Sequence, residues 1–344
     1  MIAIAAAKRL CVVDRLAHPA ANRLIIASLS LSSLARSAFQ MTEARGGGVR
    51  HETVREDRAG QRLDNFLIGL LGSVPRSLVY RIVRTGQVRV NGSRAKPMKK
   101  LKAGDVVRVP PVKLEKRAEP RLPSGLIDQV ERCLIEQNDQ FAILNKPSGL
   151  AVHGGTGLDF GLMDAIKQRH PDWRPVHRLD RPTSGLLLMA CNHRALRSLQ
   201  KSFMAREVEK RYFALLDGVL PEPLMRVDVP LKKIRDGSGQ HRVVPAEDGQ
   251  DAVSTFRLLE RVGDYSYVEV EIETGRTHQI RAHAAGIDLP LVGDELYNFH
   301  TASMTVNRLF LHAHYLRLSW PEDCVYSAPL PDELSDVLSR CRLS

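Results

Sequence analysis

Two stretches of apolar residues near residue 70 recur at helical spacing. In residues 62–71, four apolar side chains fall on one helical face: Leu63, Phe66, Leu67 and Leu70. A second set follows Pro75, which suits a helix start, and predicts a helix over 77–85: Leu78, Val79, Ile82 and Val83. Gly86 ends this helix, so the pattern predicts two short helices in succession.

Strand-like alternation replaces the helical spacing after Gly86. Gln87–Val90 alternates polar and apolar residues, and the following Asn91-Gly92 pair is a strong hairpin signal. Val106–Val109 reads as a further short strand. Together these helices and strands predict a small α+β domain over residues 51–112.

The pattern is less regular on both sides of this domain. Four prolines among mixed charges predict a linker, placed at residues 113–136: Pro110, Pro111, Pro120 and Pro123. Residues 137–344 mix short strands and helices without βαβ alternation, so we expect an α+β domain with a mixed, mostly antiparallel sheet. We expect residues 1–50 to be an N-terminal extension, either disordered or upstream of a true start at Met41. A targeting segment within residues 1–40 is the alternative.

Positive charge is concentrated in the small domain. The chain of 344 residues has a formal net charge of +11, and residues 62–110 alone hold eleven Lys or Arg against two Asp. Residues 111–344 carry 30 basic and 32 acidic side chains, so the surplus is local. A local basic surface of this kind indicates binding to the phosphates of a nucleic acid.

Composition disfavours several other classes of protein. The five cysteines are scattered without a CxxC pair, which argues against a zinc site or a disulfide framework and suits the cytoplasm. No apolar run approaches the roughly 18 residues of a membrane span. The sequence contains no Walker loop and no GxGxxG motif, so it indicates no nucleotide cofactor.

The nine residues His177–Gly185 place one carboxylate, Asp180, between Arg178 and Arg181, just before an apolar run. Charge runs are usually solvated, so these residues by themselves favour a surface salt-bridge cluster. An ionised aspartate on a loop that feeds a buried strand is also well placed to enter a cleft as a nucleophile or a base. The nine residues alone leave both interpretations open.

Five motifs, taken in order, carry a family resemblance. They are NKPSGLAVH at 145–153, HRLDRPTSG at 177–185, KRYFALLDG at 210–218, ETGRTHQIRAH at 273–283 and RLFLHA at 308–313. In this order they resemble the RluA-type pseudouridine synthases over nearly the whole chain after residue 50. The small domain resembles the alpha-L RNA-binding motif through RLDNFL, the basic second helix and VRVNG. The resemblance implies a pseudouridine synthase fold with a central cleft, and isomerisation of uridines in RNA with no cofactor and no metal.

The resemblance also implies roles for individual residues. Asp180 matches the catalytic aspartate, Tyr212 the tyrosine that stacks on the base and is able to assist proton removal, and Arg281 the arginine that pairs with the aspartate. The aspartate either attacks the anomeric carbon or removes a ribose proton to form a glycal. Six residues are predicted to bind the substrate: Arg178, Arg181, Thr183, Arg276, His278 and Leu311. Five are predicted to contact RNA from the small domain: Arg76, Arg81, Arg84, Lys99 and Lys100.

Elementary chemistry supports these residue types. A base that leaves its stack needs a platform, which an aromatic ring supplies. A carboxylate in a pocket poor in water drifts to its neutral form, and an arginine opposes that drift. The glycine-rich stretch Lys232–Gln250 is interpreted as a loop that grips RNA.

The expected partner is 23S ribosomal RNA, and the protein is expected to act as a monomer without a membrane. Residues 195–215 most resemble the branch that acts on the large subunit. That branch usually carries an acidic residue where Pro182 stands, and proline occurs in other branches, one of them directed at tRNA. The alternatives are therefore the same chemistry on tRNA or other rRNA uridines, and a non-catalytic RNA-binding assembly factor. A hydrolase is disfavoured because the chain has no GxSxG motif.

Overall fold

The computed structural model describes residues 48–72, 74–112, 122–154, 160–235, 241–298 and 306–343. The expectations for residues 1–40 and for a start at Met41 lie outside the described residues. The chain divides into two compact units, the N-terminal unit up to Arg117 and the C-terminal unit from Ala118. Among the described residues, no helix has the length and apolar character that crossing a bilayer requires.

The N-terminal unit combines two helices with a four-stranded antiparallel sheet in the order β1-β4-β2-β3. Its elements are β1 Arg50–Thr53, α1 Leu63–Leu71, α2 Arg76–Arg84, β2 Arg89–Val90, β3 Ser93–Arg94 and β4 Val106–Val109. The two predicted helices and the predicted hairpin are therefore present. Asn91 and Gly92 adopt φ of 50° and 77°, and two positive φ values in succession are what a tight hairpin turn requires.

Asp64 fastens the first helix of this unit to the second. Its buried carboxylate accepts hydrogen bonds from Arg62 Nε at 3.0 Å and from the Tyr80 hydroxyl at 2.9 Å. Burial would raise the pKa of Asp64, but the hydrogen bonds from Arg62 and Tyr80 outweigh it and lower the pKa. The apolar faces of α1 and α2 pack in the core of this unit, where Leu63, Leu67 and Val79 are fully buried.

The C-terminal unit is built on a ten-stranded sheet. Its strands and those of a separate hairpin are β5 Leu134–Gln137, β6 Phe141–Lys146, β7 Arg174–Pro175, β8 Ser184–Ala190, β9 Glu209–Leu216, β10 Leu224–Asp228, β11 Leu231–Arg235, β12 His241–Pro245, β13 Val253–Val262, β14 Tyr265–Ile272, β15 Leu311–Leu318 and β16 Cys324–Ser327. Its helices are α3 Leu126–Arg132, α4 Leu162–Arg169, α5 His193–Met204, α6 Gln279–Gly286 and α7 Asp332–Leu343.

The large sheet runs β10-β13-β14-β9-β15-β8-β6-β5, with β16 beside β15 and β7 beside β8. Among the described strands, β8 and β15 form a parallel pair and the other pairs are antiparallel. The predicted α+β class with a mixed, mostly antiparallel sheet is confirmed. Every residue of β8 is buried, which explains why its sequence is an apolar run rather than an alternating one.

Gly185 permits the close approach of β8 to β15. Its φ is +112°, and a Cβ at this position would lie 2.2 Å from the carbonyl oxygen of Ala313. Only glycine avoids both the backbone strain and the overlap. The loop that ends at Ser184 is thereby held against the strand that begins at Leu311.

Two segments differ from the sequence prediction. Within the span predicted as a linker, α3 and β5 are ordered, and Leu126 and Val130 are buried in the main core. Because the nearby prolines favoured a linker, the sequence analysis did not identify this short amphipathic helix, whose apolar residues are four positions apart. The stretch interpreted as a loop, Lys232–Gln250, instead contains the paired strands β11 and β12, because Leu231 and Val243 have an apolar core of their own to fill.

Candidate active site

Asp180 lies on the loop between β7 and β8, and its carboxylate faces a pocket. The loop turns tightly there, since the Thr183 N–H donates to the Asp180 carbonyl over 3.1 Å. The Asp180 side chain is 15% exposed. It is therefore accessible from the pocket but largely withdrawn from bulk solvent, unlike the side chain of a surface salt-bridge cluster.

Arg281, on α6, joins Asp180 to a second carboxylate. Its Nη1 lies 3.4 Å from Asp180 Oδ2, whereas its Nε and Nη2 each donate to Asp294 over 2.7 Å. Burial alone would lower the pKa of Arg281, but the paired hydrogen bonds that it donates to Asp294 outweigh burial and raise the pKa. Asp294 thus holds the guanidinium in place, and the remaining nitrogen is directed at Asp180.

His278 approaches Asp180 from the start of the same helix. Its Nε2 lies 3.8 Å from Asp180 Oδ2, and its Nδ1 lies 3.1 Å from the hydroxyl of Tyr297. The residue adopts φ of 53°, a conformation that non-glycine residues rarely take. Burial lowers the pKa of His278 more than the carboxylate of Asp180 raises it.

Tyr212 and Leu311 form an apolar wall beside the carboxylate. Tyr212 on β9 pairs directly with Ala313 on β15, and Leu311 lies two residues before Ala313. Both side chains therefore face the same side of the sheet. Burial, and after it the charge of Asp180, raises the pKa of Tyr212. Its phenol consequently stays protonated at neutral pH and offers an aromatic face.

Lys146 supports the Asp180 loop from within the core. Its side chain is fully buried, and its Nζ donates to the carbonyls of Pro147 at 2.8 Å, Leu150 at 2.9 Å and Arg181 at 3.3 Å. Burial, and after it the charge of Arg308, lowers the pKa of Lys146 to about 7, against the opposing effect of Asp180. In the sequence, Lys146 was visible only as part of the motif NKPSGLAVH.

The structure brings most of the predicted site residues together. The pocket at Asp180 is lined by eight of them: Arg178, Asp180, Thr183, Tyr212, Arg276, His278, Arg281 and Leu311. Arg181 is the exception, because its exposed side chain turns away and donates to the Gly149 carbonyl over 3.0 Å. Its contact is with the neighbouring loop and not with the pocket.

Two residues of the site had no signal in the sequence. Asp294 lies 13 residues after Arg281, a spacing that belongs to no helix or strand period. Tyr297 follows in the same turn, where the N–H of Tyr297 donates to Asp294 over 3.1 Å and its ring lies 5.1 Å from the Arg281 guanidinium carbon. Only the three-dimensional fold brings Asp294 and Tyr297 into contact with Arg281.

Three further histidines of the predicted motifs make hydrogen bonds within the fold, away from the pocket lining. His177 accepts the Leu188 N–H over 3.0 Å, His283 lies 2.9 Å from Ser254 Oγ, and His312 lies 2.9 Å from Ser184 Oγ. Within the described part of the chain, no three His, Cys, Asp or Glu side chains are grouped as a metal would need.

The N-terminal unit carries its own groove, of about 970 Å³, between α2 and residues 94–97. Four basic residues line it: Arg81, Arg84, Arg94 and Lys96. The other three predicted RNA contacts, Arg76, Lys99 and Lys100, are exposed but lie outside the groove lining. The sequence analysis did not select Arg94 and Lys96.

Two family models match the chain. The model described as RNA pseudouridylate synthase matches residues 140–286, which include Asp180, Tyr212 and Arg281. The model described as S4 domain matches residues 61–107, within the N-terminal unit.

Whole proteins resemble the chain as well. The ribosomal large subunit pseudouridine synthase C of Pasteurella multocida (strain Pm70) is 40% identical, over 86% of this chain and 94% of its own. The protein of the same name from Vibrio cholerae serotype O1 is 42% identical, over 86% and 97%. A solved structure of human RNA pseudouridylate synthase domain containing 4 superposes with a TM-score of 0.54 at 26% identity, covering 63% of this chain and 95% of that one.

Proposed function

We propose that this chain, which belongs to the pseudouridine synthase family and is therefore an isomerase, converts specific uridines of 23S large-subunit ribosomal RNA to pseudouridine. The observation that carries the proposal is the Asp180 carboxylate, withdrawn from solvent and 3.4 Å from Arg281, at a pocket walled by Tyr212 and Leu311. The choice of RNA rests on relatives named for the large ribosomal subunit that match over nearly their whole length.

The reaction exchanges one bond to the ribose for another. The bond between C1′ and N1 of uracil breaks, the base turns, and a bond between C1′ and C5 forms, while the C5 proton leaves and N1 gains one. Asp180 assists in one of two ways. It attacks C1′ and is later displaced by C5, or it removes the C2′ proton to give a glycal and later returns it.

The neighbouring residues have roles that follow from their positions. Arg281 orients Asp180 and offsets the cost of burying its charge. Tyr212 and Leu311 hold the base once it has left its stack. The raised pKa of Tyr212 favours a stacking role over proton removal in the free enzyme. Arg178, Arg276, His278 and Thr183 line the pocket, and we assign them to binding of the flipped nucleotide.

The N-terminal unit supplies affinity for the RNA backbone. We assign it as an RNA-binding domain over residues 51–112, with Arg81 and Arg84 as the main phosphate contacts, since both line a basic groove. Arg76, Lys99 and Lys100 add charge around it. We expect the protein to act as a monomer, in the cytoplasm where ribosomes assemble.

The test is an assay of the purified full chain on unmodified 23S rRNA and on unmodified tRNA, each carrying tritium at C5 of uridine. Because the reaction expels the C5 hydrogen, tritium released from 23S rRNA measures turnover. Release from 23S rRNA but not from tRNA supports the proposal. Release from tRNA alone would move the substrate to that class, and release from neither would leave an RNA-binding protein without this chemistry.

A further inference from the structure

The hydroxyl of Tyr297 lies between a backbone amide and a histidine of the pocket. The N–H of Val243, on β12, donates to Tyr297 Oη over 2.9 Å. His278 Nδ1 lies 3.1 Å from the same oxygen, and the other ring nitrogen, Nε2, faces Asp180. Tyr297 therefore contacts the histidine on the side away from the carboxylate.

We propose that Tyr297 is a positioning residue that fixes His278 as the tautomer with its hydrogen on Nε2, so that this N–H faces Asp180. The inference rests on the proposed role of Asp180. A phenol has one hydrogen to donate. Because Tyr297 Oη already accepts from Val243, its own hydrogen is directed to His278 Nδ1. A neutral imidazole that accepts at Nδ1 carries its hydrogen on Nε2.

The opposite tautomer is disfavoured on both sides of the ring. It would turn the lone pair of His278 Nε2 toward the Asp180 carboxylate, and it would remove the acceptor for the Tyr297 hydrogen. Both groups are neutral, as the argument requires. Burial lowers the pKa of His278, and burial also raises the pKa of Tyr297 despite the opposing effects of the Val243 N–H and Arg281.

The charged groups around the imidazole are consistent with this arrangement. Asp180 and Asp294 attract positive charge to His278, while Arg281 and Arg178 repel it. The ring of Tyr297 also lies edge-on to His278, with the ring centres 5.7 Å apart. The Asp180 oxygen Oδ2 then faces N–H groups of Arg281 and His278, whose nitrogens lie 3.4 Å and 3.8 Å away. At 3.8 Å the His278 N–H attracts the carboxylate through its dipole and not through a direct hydrogen bond, and it favours the orientation in which Oδ2 points at both residues.

The tautomer is measured directly by ¹⁵N NMR of the histidine rings in the full chain, with His278→Gln used to assign the signal. We expect a protonated Nε2 and an unprotonated Nδ1 in the wild type, and a mixture of tautomers in Tyr297→Phe. Tyr326→Phe is the matched control, because the Tyr326 hydroxyl donates to Glu136 elsewhere in the unit. A hydrogen on Nδ1 in the wild type, or an unchanged His278 signal in Tyr297→Phe, would overturn the proposal.

Turnover supplies the second readout. Phenylalanine keeps the ring over Arg281, so we expect Tyr297→Phe to lower kcat about ten-fold and leave KM unchanged. A kcat equal to that of Tyr326→Phe would refute the positioning role. If the wild type forms no pseudouridine at all, the proposed function fails, while the NMR measurement still decides the tautomer.

Discussion

Arg281 contacts the carboxylates of Asp294 and Asp180, and the two contacts differ in length and burial. Asp294 takes both of the short hydrogen bonds and is completely buried, whereas Asp180 takes a single longer contact and remains partly accessible. A buried ion pair is costly to break because the remaining charge has no partner. Asp294 therefore fixes the arginine, while Asp180 stays accessible from the pocket.

Replacing Asp294 tests this division. We expect Asp294→Asn to lower the free energy of unfolding by about 3 kcal/mol, because it leaves Arg281 buried without its anion. Asp323→Asn is the matched control, since Asp323 makes the same two-point contact with Arg317 at an exposed site and should cost less than about 1 kcal/mol. Urea unfolding of the full chain measures both, and equal losses would contradict the account.

Lys146 predicts a pH dependence of stability. Its pKa is lowered to about 7 in the folded protein, against about 10.4 in an unfolded chain. Between these two pH values the unfolded state binds one more proton than the folded state. The free energy of unfolding therefore rises as the pH increases from 7 toward 10.4, and it falls again as the pH returns to 7. Lys146→Met removes the group that causes this pH dependence. Lys201→Met, on the exposed side of α5, removes only a surface charge.

The measurement is urea unfolding of each protein between pH 7 and 9.5. We expect the stability of the wild type to rise relative to Lys146→Met with pH, by at most about 1.4 kcal/mol per pH unit. We expect no such divergence for Lys201→Met. If the free energies of unfolding of the wild type and Lys146→Met changed in parallel with pH, the buried lysine would keep its proton and the prediction would be wrong.

Among the elements, the sequence predicted those whose pattern is local. Helices α1 and α2, the turn at Asn91 and strand β4 each follow from spacing within about ten residues. Helix α3 was missed because the prolines before it dominated the pattern, and the β11–β12 hairpin because glycine and charge suggested a loop. Asp180 was visible through its motif, whereas Asp294 and Tyr297 reach the pocket only through the fold.

The parallel contact of β8 with β15 is an element-level feature with a direct test. We expect Gly185→Ala to lower the free energy of unfolding by about 3 kcal/mol, since its Cβ would overlap the Ala313 carbonyl. Activity should fall as well, because the Asp180 loop would shift from Leu311.

The matched substitution in the other unit is Gly69→Ala. Gly69 lies inside α1, where the nearest atom to an added Cβ is 3.8 Å away, on Arg58. We expect this variant to gain about 0.5–1 kcal/mol from the better helix propensity of alanine. Thermal and urea unfolding measure both variants, and a Gly185→Ala protein as stable as Gly69→Ala would contradict the role of Gly185.

In the whole molecule, the surplus of positive charge and the Asp180 pocket lie in different units. Residues 62–110 carry eleven of the basic side chains against two acids, whereas residues 111–344, which include Asp180, have slightly more acids than bases. This division predicts that the N-terminal unit supplies most of the salt-dependent affinity for RNA. The pocket residues would then affect turnover more than binding.

Neutralising the groove tests the division. We expect Arg81→Gln with Arg84→Gln to weaken RNA binding by the full chain and to reduce the slope of log affinity against log salt by about 2. The control is Arg50→Gln with Arg55→Gln, which removes the same charge from exposed positions of the same unit outside the groove. Equal slopes in the two double variants would count against the groove.

The central claim is that the Asp180 carboxylate performs the isomerisation. Its most direct test maps pseudouridine in ribosomal RNA and tRNA from cells that lack this gene and carry either the wild-type chain or Asp180→Asn. The account predicts that particular 23S rRNA uridines lose modification in the deletion, regain it with the wild type, and stay unmodified with an equally abundant Asp180→Asn protein. Restoration of pseudouridine by Asp180→Asn would contradict it.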